Sequence, residues 1–173
     1  MSKNRILLAD DSPQALRLAE QILKSEDIEV VSVTDGETAL RRLPDVKPDL
    51  LIVDVYLPSK NGFEVVRFLR SQAAYKDIPV IFAAGPTDEF NEQDAKNAGA
   101  SAILRKPFEA SALLGAVQML LEQSASTRIE LANGHLLDRN TIRAAVTLAL
   151  DNAMPSMIEE LTQRVMLALS QTR

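Results

Sequence analysis

Cysteine is absent from this 173-residue chain, and histidine occurs once, at His135. The first absence removes disulfides, thiolate nucleophiles and cysteine-based zinc sites together, and it fits a reducing compartment. The second excludes a metal centre built from several histidines of one chain. No apolar run is long enough to span a bilayer, and the run behind the basic start, Ile6 to Ala9, is too short for a signal-peptide core. Positive charge is also in short supply. Lys and Arg number 19 against 24 Asp and Glu, a net charge of -5, so the chain as a whole repels nucleic acid and anionic membrane at long range. What is present, 46% hydrophobic and 25% charged residues, is the mixture of a globular protein with one full core. A cytoplasmic protein without nucleic-acid partners or membrane insertion is the expectation.

The stretch that organises the rest is Asp49 to Val65, DLLIVDVYLPSKNGFEV, in which the apolar strand Leu50 to Val53 ends in one carboxylate, Asp54. A buried strand running into an acid is costly unless the acid is needed there. Leu57-Pro58, Asn61-Gly62 and the helical spacing of Val65, Val66 and Leu69 then turn the chain into a helix over about 62–72. Earlier, Ile6 to Ala9 also runs into acid, Asp10-Asp11, followed by Ser12 as a cap and Pro13 as the first helical residue. The helix after Pro13 carries Ala15, Leu18, Ala19 and Ile22 on one face. A strand over 28–33, a turn at Asp35-Gly36 and a helix over 37–43 stopped by Pro44 complete the first half. Beyond it lie a strand over 80–83, a helix over 89–97 closed by Gly99, a short strand over 102–104 ending at Lys106-Pro107, and a helix with Leu113, Val117, Leu120 and Leu121 on one face. Five strand-helix alternations predict a doubly wound α/β domain with a parallel sheet.

All strand C-termini of such a sheet share one edge, so Asp10, Asp11, Asp54 and Lys106 are expected to converge. Three carboxylates in one place repel unless a cation sits among them, and an all-oxygen donor set suits Mg2+. A carboxylate, Mg2+ and a lysine form the minimal set for accepting a phosphoryl group, with Asp54 as nucleophile. The blander readings are helix capping by Asp10-Asp11, a role that Ser12 already fills, and a solvated surface position for Lys106.

Asp10-Asp11 after the first strand, Asp54 followed by Leu57-Pro58 and Gly62, and Lys106-Pro107-Phe108 after the fifth strand together resemble the receiver domain of bacterial response regulators, over residues 4 to 123. The resemblance implies a flavodoxin-like sheet of order 2-1-3-4-5. It implies phosphorylation of Asp54 by a sensor histidine kinase or phosphotransfer protein, and Mg2+ held by Asp11, Asp54 and the Tyr56 carbonyl with help from Asp10. It also implies a cis bond at Lys106-Pro107, with no enzyme activity beyond self-catalysed phosphotransfer and dephosphorylation. Two positions depart from the family. Ala84 stands where a hydroxyl residue usually ends the fourth strand, and Ile103 where an aromatic ring usually swings. The phosphoacceptor set is complete while the family's relay is missing, so the conformational response is expected to be weak or to take another route. Tyr56, two residues past the acceptor, either shields the phosphoryl group from water or lies on the surface. A pseudo-receiver scaffold, whose interactions ignore phosphate, is the alternative function.

Residues 1–123 are expected to form the receiver, 124–139 a linker and 140–173 a small helical segment for dimerisation or docking. Gln123 to Thr127 reads equally as linker or as helix continuation. Asn140 opens a helix with Ile142, Ala145, Val146 and Ala149, and Met154-Pro155 opens another with Ile158, Leu161, Val165 and Ala168. Two short helices need a partner surface, and a homodimeric four-helix bundle is the economical one. From Ser124 onward, Arg128, Arg139, Arg143, Arg164 and Arg173 are balanced by Glu130, Asp138, Asp151, Glu159 and Glu160. A neutral segment has no phosphate footprint, and neither a DNA-binding nor an enzymatic effector is expected. His135 follows Asn133-Gly134 and reads as a loop histidine.

Overall fold

The computed structural model describes residues 3–24 and 28–132. Their elements are β1 (Asn4–Ala9), α1 (Pro13–Leu23), β2 (Ile28–Val33), α2 (Gly36–Val46), β3 (Leu50–Asp54), α3 (Gly62–Ser71), β4 (Val80–Ala84), α4 (Glu92–Ala98), β5 (Ala102–Arg105) and α5 (Ala110–Ala132). The strands make one parallel sheet of order β2-β1-β3-β4-β5, the order the resemblance implies. Among the described residues, no helix is long and apolar enough to cross a membrane.

The period-two alternation of a strand sorts the core into two layers. Leu7, Leu51, Val53, Val80 and Phe82 face one way and meet Leu43 of α2, Val65, Val66 and Leu69 of α3, and Ala95 of α4. Ile6, Leu8, Leu50, Ile52 and Ile81 face the other way and meet Leu16, Ala19 and Leu23 of α1 and Leu113, Val117 and Leu120 of α5. With helices on both sides, β3 is buried along its whole length, which is why it reads as an unbroken apolar run. Each fully buried Leu or Ile contributes about 1.5–3 kcal/mol, so the central strands that carry the carboxylates are also the most strongly held.

Four elements differ from expectation. In α1 the deepest residues are Leu16, Ala19 and Leu23. Ala15 and Ile22 flank them at the edge of the layer, and Leu18 is only half-buried. Two stripes of helical spacing overlap at Ala19, and the helix is rotated toward the one with the larger side chains at its ends. Helix α2 runs past Pro44 to Val46, where Lys47 caps it in the left-handed region. Pro44 lies inside the helix and forfeits one i→i−4 hydrogen bond, and the continued turn offsets this by burying Val46 to 5% exposure. Helix α4 starts at Glu92 because Asn91 caps it through the Gln93 N–H, and the Glu89 carbonyl is taken by the Tyr56 hydroxyl. It ends at Gly99, whose φ of 100° suits glycine. Helix α5 continues through Ala132, so Gln123 to Thr127 is helix and the boundary expected after residue 123 falls inside it. Within it, Ser126 and Thr127 donate their hydroxyls to the carbonyls of Glu122 and Gln123, each at 3.0 Å, so that these polar side chains are satisfied locally. His135 and the two helices expected over 140–173 lie outside the described residues.

Candidate functional site

Three strand ends on one edge of the sheet bring the site together. Asp10 follows β1 and is fully buried, Asp54 closes β3 at 3% exposure, and Lys106 follows β5. The Lys106 ammonium donates to Asp10 Oδ2 at 3.1 Å and to Asp54 Oδ2, closing contacts across 96 and 52 residues of sequence. Its backbone N–H donates to the Ala84 carbonyl at 2.8 Å, and the bond to Pro107 is cis. Asp54 Oδ1 accepts the Tyr56 N–H at 2.9 Å, and Asp10 Oδ1 accepts the Ser12 N–H at 2.9 Å. The cap of α1 is Ser12, whose hydroxyl accepts from the Ala15 N–H, so the exposed Asp11 carboxylate is not used as the cap. Ligand atoms of Asp10, Asp11 and Asp54 all lie within 4.8 Å of one another.

Burial raises the Asp54 carboxyl above its ordinary pKa, and the charge of Asp10 adds to the rise. Hydrogen bonds from Lys106 and from the Tyr56 N–H offset part of it. Burial by itself would lower the Lys106 ammonium, but its hydrogen bonds to Asp54 and Asp10 outweigh that and leave its pKa raised. A raised folded-state pKa means stability that is present at low pH and lost as pH rises through it. For Lys106 that loss falls in the alkaline range. For Asp54 the ionised form is the one the fold disfavours, and a further cation would relieve it. The oxygen-only donor set and its spread fit a small hard divalent ion, whose opposed ligands stand about 4 Å apart.

The sequence pattern described as the response regulator receiver domain matches residues 6–118. The chain belongs to the response regulator receiver family. It is 30% identical over 114 residues to the protein PilG of Pseudomonas aeruginosa, covering 66% of this chain and 84% of PilG. It is 28% identical to the DNA-binding response regulator MtrA of Mycolicibacterium smegmatis, covering 75% of this chain but only 55% of MtrA. Among solved structures, the chemotaxis response regulator CheY4 of Vibrio cholerae is 31% identical with a TM-score of 0.64, covering 69% of this chain and 99% of CheY4. The protein is therefore a receiver domain of two-component signalling with further residues at its C-terminal end.

Ala84 and Ile103, the two positions singled out in the sequence, lie on β4 and β5. Ala84 is fully buried at the end of β4, and Ile103 is half-buried against the core layer of α2, α3 and α4. Thr87 is exposed in the following loop. Tyr56 is 52% exposed, yet its ring is held, because its hydroxyl donates to the Glu89 carbonyl at 2.7 Å. Sequence reasoning missed Arg105. Its guanidinium lies 4.9 Å from the Phe90 ring centroid and 3.7 Å from Glu92, and it reaches the carbonyls of Gly85 and Asp88 at 3.3 and 3.4 Å. Its place next to Lys106 at a strand end was the available signal. An open groove of about 380 Å³, bordered by Ala15, Leu18, Pro86, Pro107 and Phe108, leads to Lys106.

Proposed function

We propose that Asp54 is the phosphoryl acceptor and that its donor is a phosphohistidine on a sensor kinase or phosphotransfer protein. The observation that carries this is Lys106 joined to both Asp10 and Asp54 at the mouth of an open groove. One Asp54 oxygen forms the new O–P bond while the donor's N–P bond breaks and the imidazole takes a proton from solvent. Lys106 neutralises charge on the transferred group. Asp10, Asp11, Asp54 and the Tyr56 carbonyl would hold Mg2+, which supplies positive charge opposite the phosphoryl oxygens when bound. The output we assign is protein-protein interaction, with residues 140–173 as a homodimerisation or docking segment and no DNA-binding or enzymatic effector. The balanced charge of the C-terminal residues supports it. A cytoplasmic location fits the cysteine-free composition. The second reading, a scaffold indifferent to phosphate, is favoured by Ala84 and Ile103.

The test is the mass and oligomeric state of the full chain before and after incubation with Mg2+ and acetyl phosphate. A phosphoryl adduct lost in Asp54→Asn, with a change in dimer population, is expected. No adduct, with a dimer that ignores Mg2+ and donor alike, would transfer the assignment to the scaffold.

The metal assignment has its own readout. At a hundredfold excess over its dissociation constant, Mg2+ is expected to stabilise the domain by about 2.7 kcal/mol, seen as a rise in Tm. The rise shrinks as pH falls through the raised pKa of Asp54, because protons and metal compete for the same carboxylate. An undiminished rise in Asp11→Asn would remove that residue from the site.

A further inference from the structure

We propose that Tyr56 is a positioning residue that carries the state of Asp54 to the β4–α4 loop, standing in for the hydroxyl that Ala84 lacks. The inference rests on Asp54 being the phosphoryl acceptor and specifies how this chain would read it. Tyr56 is attached at both ends. Its backbone N–H donates to Asp54 Oδ1 at 2.9 Å, and its hydroxyl donates to the Glu89 carbonyl at 2.7 Å, 33 residues further along. Phosphorylation of either carboxylate oxygen removes the anionic character of Oδ1, the acceptor of that N–H, so it bears directly on where the Tyr56 backbone sits. A phenol ring has two side-chain torsions and no internal flexibility, so a displacement at one end arrives at the other.

The loop is bonded within itself. Residues 85–88 close on themselves, with the Asp88 N–H donating to the Gly85 carbonyl at 3.3 Å and the Asp88 carboxylate accepting the Gly85 N–H. Arg105 grips the far side through the Gly85 and Asp88 carbonyls, the Phe90 ring and Glu92. Asn91 then caps α4 directly behind the loop. The loop therefore has one attachment to β5 through Arg105 and another to the acceptor through Tyr56. Three neighbouring positions offer no comparable link: Ala84 presents a methyl group, Ile103 an aliphatic chain, and Thr87 is exposed. A linkage counts as coupling only when the element it touches has two positions that the site biases, and amide shifts read those positions directly.

The experiment compares the full chain with Tyr56→Phe, which removes only the hydroxyl. Both are treated with Mg2+ and acetyl phosphate, with donor adjusted so that mass spectrometry shows the same fraction of phosphorylated Asp54. In the parent chain, amides over 85–97 are expected to shift on phosphorylation. In Tyr56→Phe the shifts over 85–97 are expected to fall to less than about half at equal occupancy, while those next to Asp54 and Lys106 remain. Equal loop shifts in the two proteins would overturn the proposal, as would a phosphorylated parent whose loop does not shift. Failure of the acceptor assignment looks different: no adduct forms in either protein, and both readings fall together.

Discussion

Lys106→Met is expected to lower the stability of the metal-free domain by about 3 kcal/mol, because it leaves two buried carboxylates without their cation. The side chains of Asp10 and Asp54 are 1% and 4% exposed, against 15% for Lys106. Methionine keeps the length and apolar stem of lysine, so packing is largely retained and the loss is electrostatic. The lower end of the range for a broken buried pair, about 3–5 kcal/mol, is the appropriate choice, since Asp54 can respond by taking up a proton. Urea unfolding in EDTA reads the effect as a lower midpoint with an unchanged slope. Adding Asp54→Asn to Lys106→Met should recover part of the loss, because it removes one of the stranded charges, and the double-mutant cycle isolates the coupling. Mg2+ should recover part as well. Phosphoryl uptake from acetyl phosphate is expected to fall by roughly 10²- to 10³-fold, the usual consequence of deleting one preorganised charge from a transition-state site. Unfolding of Lys106→Met at the parent midpoint in EDTA would show that the ammonium does not hold these carboxylates.

The parts of this structure that are legible in sequence are those that repeat or are buried. β3 is readable because helices cover both its faces, which forces Leu50 to Val53 to be apolar without a break and makes Asp54 conspicuous. Lys106 is unremarkable alone and becomes legible only once the parallel sheet places its strand end beside those of β1 and β3. Rotation of α1 was not legible, since Ala15-Leu18-Ala19-Ile22 and Leu16-Ala19-Leu23 both have helical spacing and tertiary packing chooses between them. Nor was the grip on the β4–α4 loop. Tyr56 meets Glu89 across 33 residues and Arg105 meets Gly85 across 20, through contacts to backbone carbonyls in a segment without periodicity. The continuation of α5 through Ser124 to Thr127 was ambiguous for a related reason. Small polar residues favour a linker by composition, whereas the backbone stays helical there, with the Ser126 and Thr127 hydroxyls bonded to the preceding turn.

Gly62→Ala is expected to destabilise the domain by about 3 kcal/mol, the upper part of the range for overpacking a filled site. A Cβ at this position would lie 2.3 Å from the Asp54 carbonyl oxygen and 3.1 Å from both the Asp54 carbonyl carbon and the Phe82 ring. None of these neighbours yields cheaply. Phe82 is fully buried and packs on the Phe63 ring with centroids 5.0 Å apart. The start of α3 is pinned by a capping box in which Asn61 and Glu64 each accept the other's N–H, at 3.0 and 2.9 Å. The Gly62 N–H itself donates to the Val55 carbonyl at 3.0 Å. Relief must therefore come from the end of β3, which is the segment that aims Asp54 at Lys106. Loss of stability and loss of phosphoryl uptake should consequently appear together, the second because reacting groups tolerate little misplacement. Gly115→Ala is the matched control. Its added Cβ meets nothing within 4 Å in α5, so replacing a helical glycine there should stabilise by about 0.5–1 kcal/mol. If Gly62→Ala unfolds with the parent midpoint while Gly115→Ala behaves as stated, the close approach of α3 to the acceptor strand is not the constraint that this packing implies.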